Sequence, residues 1–234
     1  MSKDFSKFEK RAGLKFKNQD LLKQAFTHRS YLNENPPLAG GLGIGHNERL
    51  EFLGDAVLEL AVTKKLYHLY PDKKEGELTS IRSALVNTNM LSVLGGEFGF
   101  NDFLLLSRGE TKDLGRGRQF MLANTFEALV GAIYLDSGFE TAESFLERAL
   151  FPQIQEIVEK SLWQDSKSLF QERAQEIAGL TPNYQVLHES GPDHDKTFVT
   201  GVFLNGEKVA EGQGSSKQEA EQAAAQEALR QKGW

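Results

Sequence analysis

The chain has 234 residues, 39% of them hydrophobic and 26% charged, with a formal net charge of -6 and no cysteine. That length suits one large or two modest domains, and the balance is that of a folded protein rather than a disordered one. The absence of cysteine excludes disulfides, thiol chemistry and Cys-ligated zinc or iron-sulfur sites, and the acidic balance gives no hint of nucleic acid. The amino-terminal stretch MSKDFSKFEKRAGLKFKNQD has no apolar h-region, and no uncharged apolar run approaches the ~18 residues a membrane span requires. A soluble cytoplasmic protein, with no membrane partner, is expected.

Up to about residue 160, apolar positions recur at three- and four-residue intervals and β-branched alternation is scarce, which predicts a mostly helical segment. The spacing places helices at Lys3 to Ala12, Gln19 to Ala25, Glu48 to Tyr70, Glu77 to Val86, Asn87 to Phe98, Phe120 to Asp136 and Phe139 to Lys160. Two stretches read as loops: NENPPLAGGLGIGH, dense in Pro and Gly, and SRGETKDLGRGRQF, which mixes Gly with Arg.

The pattern changes after Trp163. Asp165 is placed to cap a helix from Ser166 to Ala178, and TPNYQVLHESG then alternates like a strand. KTFVTGVFLNGEKVAEGQG holds two further strand-like runs joined at Asn205-Gly206, a pair suited to the positive φ angles of a tight hairpin turn. SSKQEAEQAAAQEALRQK closes the chain as an alanine-rich helix, with Ser216 and Glu219 spaced as a capping box. The expected architecture is a mostly α-helical domain over residues 1–160 followed by a small α+β domain, α-β-β-β-α, over residues 165–234.

The run NERLEFLGDAVLEL raises a physical question, because it sets four carboxylates in an apolar helix. With Glu48 at zero and about 100° per residue, Glu51 falls at roughly 300°, Asp55 at roughly 340° and Glu59 at roughly 20°, all on one stripe. Leu50, Leu53, Val57, Leu60 and Ala61 project at roughly 120° to 220°, the side expected to face the core. Like charges at these spacings cost a few tenths of a kcal/mol per pair, so something should offset them. A solvated acidic face is one reading. Against it, the stripe has no lysine, and Phe52 projects at roughly 40°, beside the acids, where a covered surface is suggested. Oxygen-only clusters suit hard cations, and a second helix, FMLANTFEALVGAIYLD, could complete such a site through Asn124 and Glu127. Its Ala128, Gly131 and Ala132 would let another backbone approach closely.

These residues match a known family. HNERLEFLGDAVLEL closely resembles the signature segment of ribonuclease III, and EGELTSIRSALV and LANTFEALVGAIYLD follow in that family's order and approximate spacing. The tail resembles a double-stranded RNA-binding domain, with GPDHDKTF and GQGSSKQEAEQAAA at its two RNA-facing segments. The resemblance implies that Glu51, Asp55, Asn124 and Glu127 hold divalent metal, Mg2+ with Mn2+ as a possible substitute. It implies that Glu48 and Glu75 assist near the cleavage site, and that Phe52 inserts into a socket on the partner subunit of a homodimer. Asn124 departs from the more frequent aspartate, supplying an amide oxygen without charge; activity is expected to persist with weaker metal affinity.

The implied reaction is hydrolysis of phosphodiester bonds in double-stranded RNA, leaving 5′-phosphate and 3′-hydroxyl ends with short 3′ overhangs, in RNA processing and maturation. Two bound ions suit that chemistry, one activating water and one stabilising the leaving oxygen. His28, His46, His68, His188 and His194 show no ligand-type spacing and are expected in structural or surface roles, His46 being the least settled. By resemblance, Gln171 and His194 face successive minor grooves while Ser216 and Lys217 meet the phosphates between them, a helix amino terminus being favourable for anions. From Asp165 onward seven Lys plus Arg stand against eleven Asp plus Glu, a net of -4, so weak RNA affinity is expected, supplemented by dimeric avidity and by Arg116 and Arg118. Two alternatives stay open: a binding protein that retains the fold but cuts poorly, and a di-metal oxidoreductase in a helical bundle, for which no Glu-x-x-His pair is present.

Overall fold

Six phenylalanines organise the first part of the chain. Phe8, Phe26, Phe100, Phe103, Phe126 and Phe145 are all buried, and ring centroids 4.8 Å apart for Phe8 and Phe26 and 5.1 Å apart for Phe26 and Phe100 meet edge to face. That geometry lets the positive ring edge meet the negative face of its neighbour. The coordinates, a computed structural model, describe residues 3–35, 45–112, 115–161, 163, 165–192 and 196–234. They divide into two compact units, Met1–Trp163 and Gln164–Trp234.

In the first unit the helices are α1 (Phe5–Ala12), α2 (Gln19–Ala25), α3 (Arg29–Glu34), α4 (Glu48–Leu69), α5 (Glu75–Val86), α6 (Thr88–Glu97), α7 (Arg116–Ser137), α8 (Phe139–Ala149) and α9 (Gln153–Glu159). Local chemistry sets several ends. Asp4, Asn18 and Asn87 each accept a backbone N–H of the first turn of α1, α2 and α6, satisfying donors a helix start leaves orphaned. Gly13 closes α1 at φ +62°, a left-handed position that glycine takes without steric cost.

Three expectations need correction here. The single helix from Phe139 to Lys160 is two helices, because Pro152 has no N–H to continue the ladder and its ring disfavours helical geometry just before it. The six-residue α3 is too short to show a period. Helix α7 begins at Arg116, inside the segment expected to be loop. Arg118 is buried there, donating to the carbonyls of Glu110 at 3.0 Å and Thr111 at 3.2 Å, so it staples the preceding turn to α7 and does not reach out as an RNA contact. Arg116 is exposed. Most of the Pro/Gly-dense loop falls on residues 36–44, outside the described residues. No helix of the described residues is long and apolar enough to cross a membrane.

The second unit runs α10 (Ser166–Ala178), β1 (Asn183–Ser190), β2 (Thr197–Leu204), β3 (Glu207–Gly214) and α11 (Lys217–Lys232), with an antiparallel sheet in the order β1-β2-β3. Asn205 at φ 50° and Gly206 at φ 85° make the β2–β3 turn, as the pair predicts. The sheet's inner face, with Val202, Thr200 and Ala210, packs on Phe170 of α10 and Ala224, Ala225 and Ala228 of α11. Gly212 lets α11 approach so closely that a Cβ there would stand 2.1 Å from the Ala224 nitrogen. The Asp165 carboxylate accepts the Ser168 N–H at 3.2 Å, capping α10. Ser216 caps α11 by accepting the Glu219 N–H at 3.2 Å, whereas the Glu219 carboxylate reaches back to the Ser215 N–H at 2.9 Å, one residue beyond the capping box expected.

Candidate active site

Helices α4 and α7, 22 residues each, cross where neither carries a side chain. A Cβ on Gly54 would stand 1.8 Å from the Glu127 carbonyl oxygen, and one on Gly131 would stand 2.3 Å from the Leu50 carbonyl oxygen. Backbone therefore rests on backbone. This contact decides how α4 is rotated about its axis. The buried arc comprises Leu50, Gly54, Val57, Leu58, Ala61, Val62 and Leu66, centred near Gly54 and displaced toward the acids from the arc expected. Leu60, expected in the core, is 59% exposed, and Glu51 has moved to the rim of the contact, partly buried.

The same crossing gathers acids from both helices. Glu127 is partly buried on α7, and its carboxyl is pushed up to about 7, first by burial and then by repulsion from Asp55 and Glu51. Burial likewise raises Glu51, with Glu48 and Asp55 adding repulsion and a hydrogen bond with Asn124 opposing them. Both shifts follow from placing negative charge where water is thinned and other negative charge is close. The structure thus brings Glu51, Asp55, Asn124 and Glu127 together, with Asp55 on the exposed side.

Glu48, at the first turn of α4, flanks this group and faces two donors, Arg29 Nη1 at 3.6 Å and His46 Nδ1 at 3.7 Å. Sequence reasoning missed Arg29; the only signal was its place in a short helix too small to predict. Glu75 opens α5, exposed, and accepts the Thr79 hydroxyl at 3.1 Å; no hydrogen bond or ion pair among the described residues ties it to the other acids. Phe52 stands 82% exposed, with Leu60 and Tyr67 further along α4 forming an apolar stripe beside the acids.

The donors are carboxylates and one carboxamide, all oxygen, which fits a hard divalent cation. Among the described residues no three His, Cys, Asp or Glu side chains close around one point. An ion here would keep water or phosphate in its shell, the habit of magnesium. Two concavities among the described residues, one lined by Lys3, Tyr31 and Arg118 and the other by Lys15, Asp136 and Arg148, include none of these acids.

In the second unit Gln171 is exposed on α10, Ser216 is the α11 cap, and Lys217 is exposed with its ammonium 5.9 Å above the Phe198 ring. His194 lies outside the described residues.

Known proteins resemble this chain in sequence and fold. The family profile described as Ribonuclease-III-like matches residues 18–154, and that of the double-stranded RNA binding motif matches residues 166–232. Ribonuclease 3 of Anoxybacillus flavithermus is 45% identical over 225 residues, covering 96% of this chain and 92% of that protein. Ribonuclease 3 of Enterococcus faecalis is 43% identical over 225 residues, covering 96% of both. The solved nuclease domain of ribonuclease III from Campylobacter jejuni superposes with a TM-score of 0.54 at 35% identity, covering 62% of this chain and 95% of that one. On a profile spanning more than half its length and on relatives matched along nearly all of it, the chain belongs to the ribonuclease III family of double-strand-specific endoribonucleases that process RNA.

Proposed function

We propose that this chain cuts double-stranded RNA by magnesium-dependent hydrolysis at Glu51, Asp55, Asn124 and Glu127, leaving 5′-phosphate and 3′-hydroxyl ends with short 3′ overhangs. Residues 1–160 carry the cut and residues 165–234 hold the duplex. The observation that carries this reading is the glycine-to-backbone crossing of α4 and α7, at which burial first, and then repulsion from Asp55 and Glu51, raise the Glu127 carboxyl to about 7. Acids so crowded are suited to a cation, which would offset both the repulsion and the lost hydration.

When bound, the divalent ions supply an activated water and a countercharge for the departing oxygen. Manganese, another hard divalent ion of octahedral habit, would substitute. Glu127 and Glu51 hold their carboxylates at the rim of a packed helix crossing, where side-chain freedom is already spent. Asp55, exposed, faces the incoming phosphate. Asn124 contributes a carbonyl oxygen without charge and an amide hydrogen toward Glu51. Glu48 and Glu75 orient water or a ribose hydroxyl beside the scissile bond. No side-chain nucleophile is required.

The chain acts as a homodimer through the α4 stripe of Phe52, Leu60 and Tyr67, which leaves large apolar side chains in water when alone. The Campylobacter jejuni structure is described as having a region involved in dimer formation in its nuclease domain. In the second unit, Gln171 and His194 meet successive minor grooves and Ser216 and Lys217 the intervening phosphates.

The test is incubation of long duplex RNA with the protein and magnesium, followed by gel analysis of product length and end chemistry with EDTA as control. Discrete short products with 5′-phosphates, abolished by EDTA, are expected. Protection of the duplex without such products would instead favour a binding protein, the reading to which the uncharged Asn124 lends weight.

A further inference from the structure

Among the described acids of the α4 stripe, Glu48 alone has both carboxylate oxygens approached by a basic side chain. Arg29 Nη1 lies 3.6 Å from Oε1 and His46 Nδ1 lies 3.7 Å from Oε2. His46 Nδ1 is buried and makes no hydrogen bond, so a tautomer carrying its proton there faces this carboxylate as acceptor.

The backbone that presents both groups is stitched in place. The Asn47 N–H donates to the Thr27 carbonyl at 2.9 Å, and the Gln24 side chain donates to the His46 carbonyl at 3.1 Å. Thr27 is bridged to Leu105, with the His28 N–H donating to the Leu105 carbonyl at 3.1 Å. Ser30, next to Arg29, receives the Ser107 N–H on its hydroxyl at 3.1 Å and donates its own N–H to His28 Nδ1 at 3.3 Å. The start of α3 and the residue before Asn47 are thereby held against the first turn of α4. Glu48 in turn is the strongest repelling charge on Glu51, so a Glu48 side chain swung inward would crowd the acids further.

We propose that Arg29 and His46 are positioning residues for Glu48: each takes one carboxylate oxygen, holding the acid at the mouth of the cluster and away from Glu51. The inference rests on the reading of Glu48 as a group that acts beside the scissile bond. It assigns Arg29 a role through Glu48, not through the RNA.

The experiment is a double-mutant cycle in the full-length protein, with kcat and KM for a short duplex RNA measured in magnesium. Because an exposed ion pair is weak, Arg29→Gln is expected to lower kcat about fivefold at most, with KM unchanged. Arg29→Lys restores most of the loss, and His46→Ala behaves like Arg29→Gln. In a Glu48→Gln background Arg29→Gln has no further effect. The magnesium-induced rise in Tm without RNA stays as in the parent. A loss that multiplies in the Glu48→Gln background, or a raised KM with kcat intact and a shallower salt dependence, would overturn the proposal and make Arg29 a phosphate contact. If Glu48→Gln alone leaves kcat untouched, the reading of Glu48 itself falls, and this inference with it.

Discussion

Replacing Glu127 with glutamine isolates the cost of crowding the acids. The carboxyl is raised from an ordinary 4.5 to about 7, burial being the first cause and Asp55 and Glu51 the next. At about 1.4 kcal/mol per pH unit, that gap bounds the destabilisation of the folded, metal-free protein at about 3 kcal/mol above pH 7. Because the side chain is only partly buried, solvent screening reduces the expectation to about 1–2 kcal/mol. The sign follows from proton linkage. Folding tightens proton binding at this site, so the cost is absent below 4.5, grows between 4.5 and about 7, and is complete above. In EDTA at pH 8, Glu127→Gln should therefore be more stable than the parent, while at pH 4.5 the two should coincide. For a protein of this size about 1–2 kcal/mol corresponds to a Tm higher by roughly 2–8 °C. Thermal melts of both proteins at pH 4.5, 6 and 8 measure it. Magnesium should raise the parent's Tm and barely move the variant's, since a ligand stabilises only the state that binds it. A variant as stable as the parent at pH 8, or a gain equal at both pH extremes, would refute the argument that Glu127 sits in a repelling, desolvated site.

Gly54→Ala drives a methyl group toward the Glu127 carbonyl, which must move apart; chemical denaturation should show a loss of about 1–3 kcal/mol and cleavage should fall with it. Phe52→Ala removes a side chain that is 82% exposed in a single chain, so monomer stability should hold while sedimentation shows at least about tenfold weaker dimerisation, from about 1.5–3 kcal/mol of lost burial per subunit. Asn124→Asp adds a carboxylate facing Glu51, and isothermal titration should show tighter magnesium binding together with a lower Tm in EDTA. Residues 165–234, net -4, should bind duplex RNA weakly with a shallow log–log salt slope; a slope matching about six or more phosphate contacts would contradict that.

What could be read from the chain alone was whatever depends on residues near one another in sequence. The stripe of Glu48, Glu51 and Asp55, the Asp165 cap and the Asn205-Gly206 turn are properties of one helix, one helix end and one hairpin, and each follows from backbone geometry that repeats within a few residues. The small residues of α7 announced that some backbone would come close; they could not say that it was α4 at Gly54. Only the packed structure decided that contact, and with it the rotation that exposes Leu60 and brings Glu51 to the rim. A helical period gives the phase of a helix relative to itself, whereas the partner's shape selects which part of a broad apolar arc is covered. Arg118 shows the same limit: in a Gly- and Arg-rich stretch it reads as a loop cation, and the carbonyls of Glu110 and Thr111 make it a buried staple. Arg29 and His46 come to Glu48 only because Thr27 and Asn47, twenty residues apart in the chain, share a hydrogen bond, and no local pattern encodes a contact across that distance.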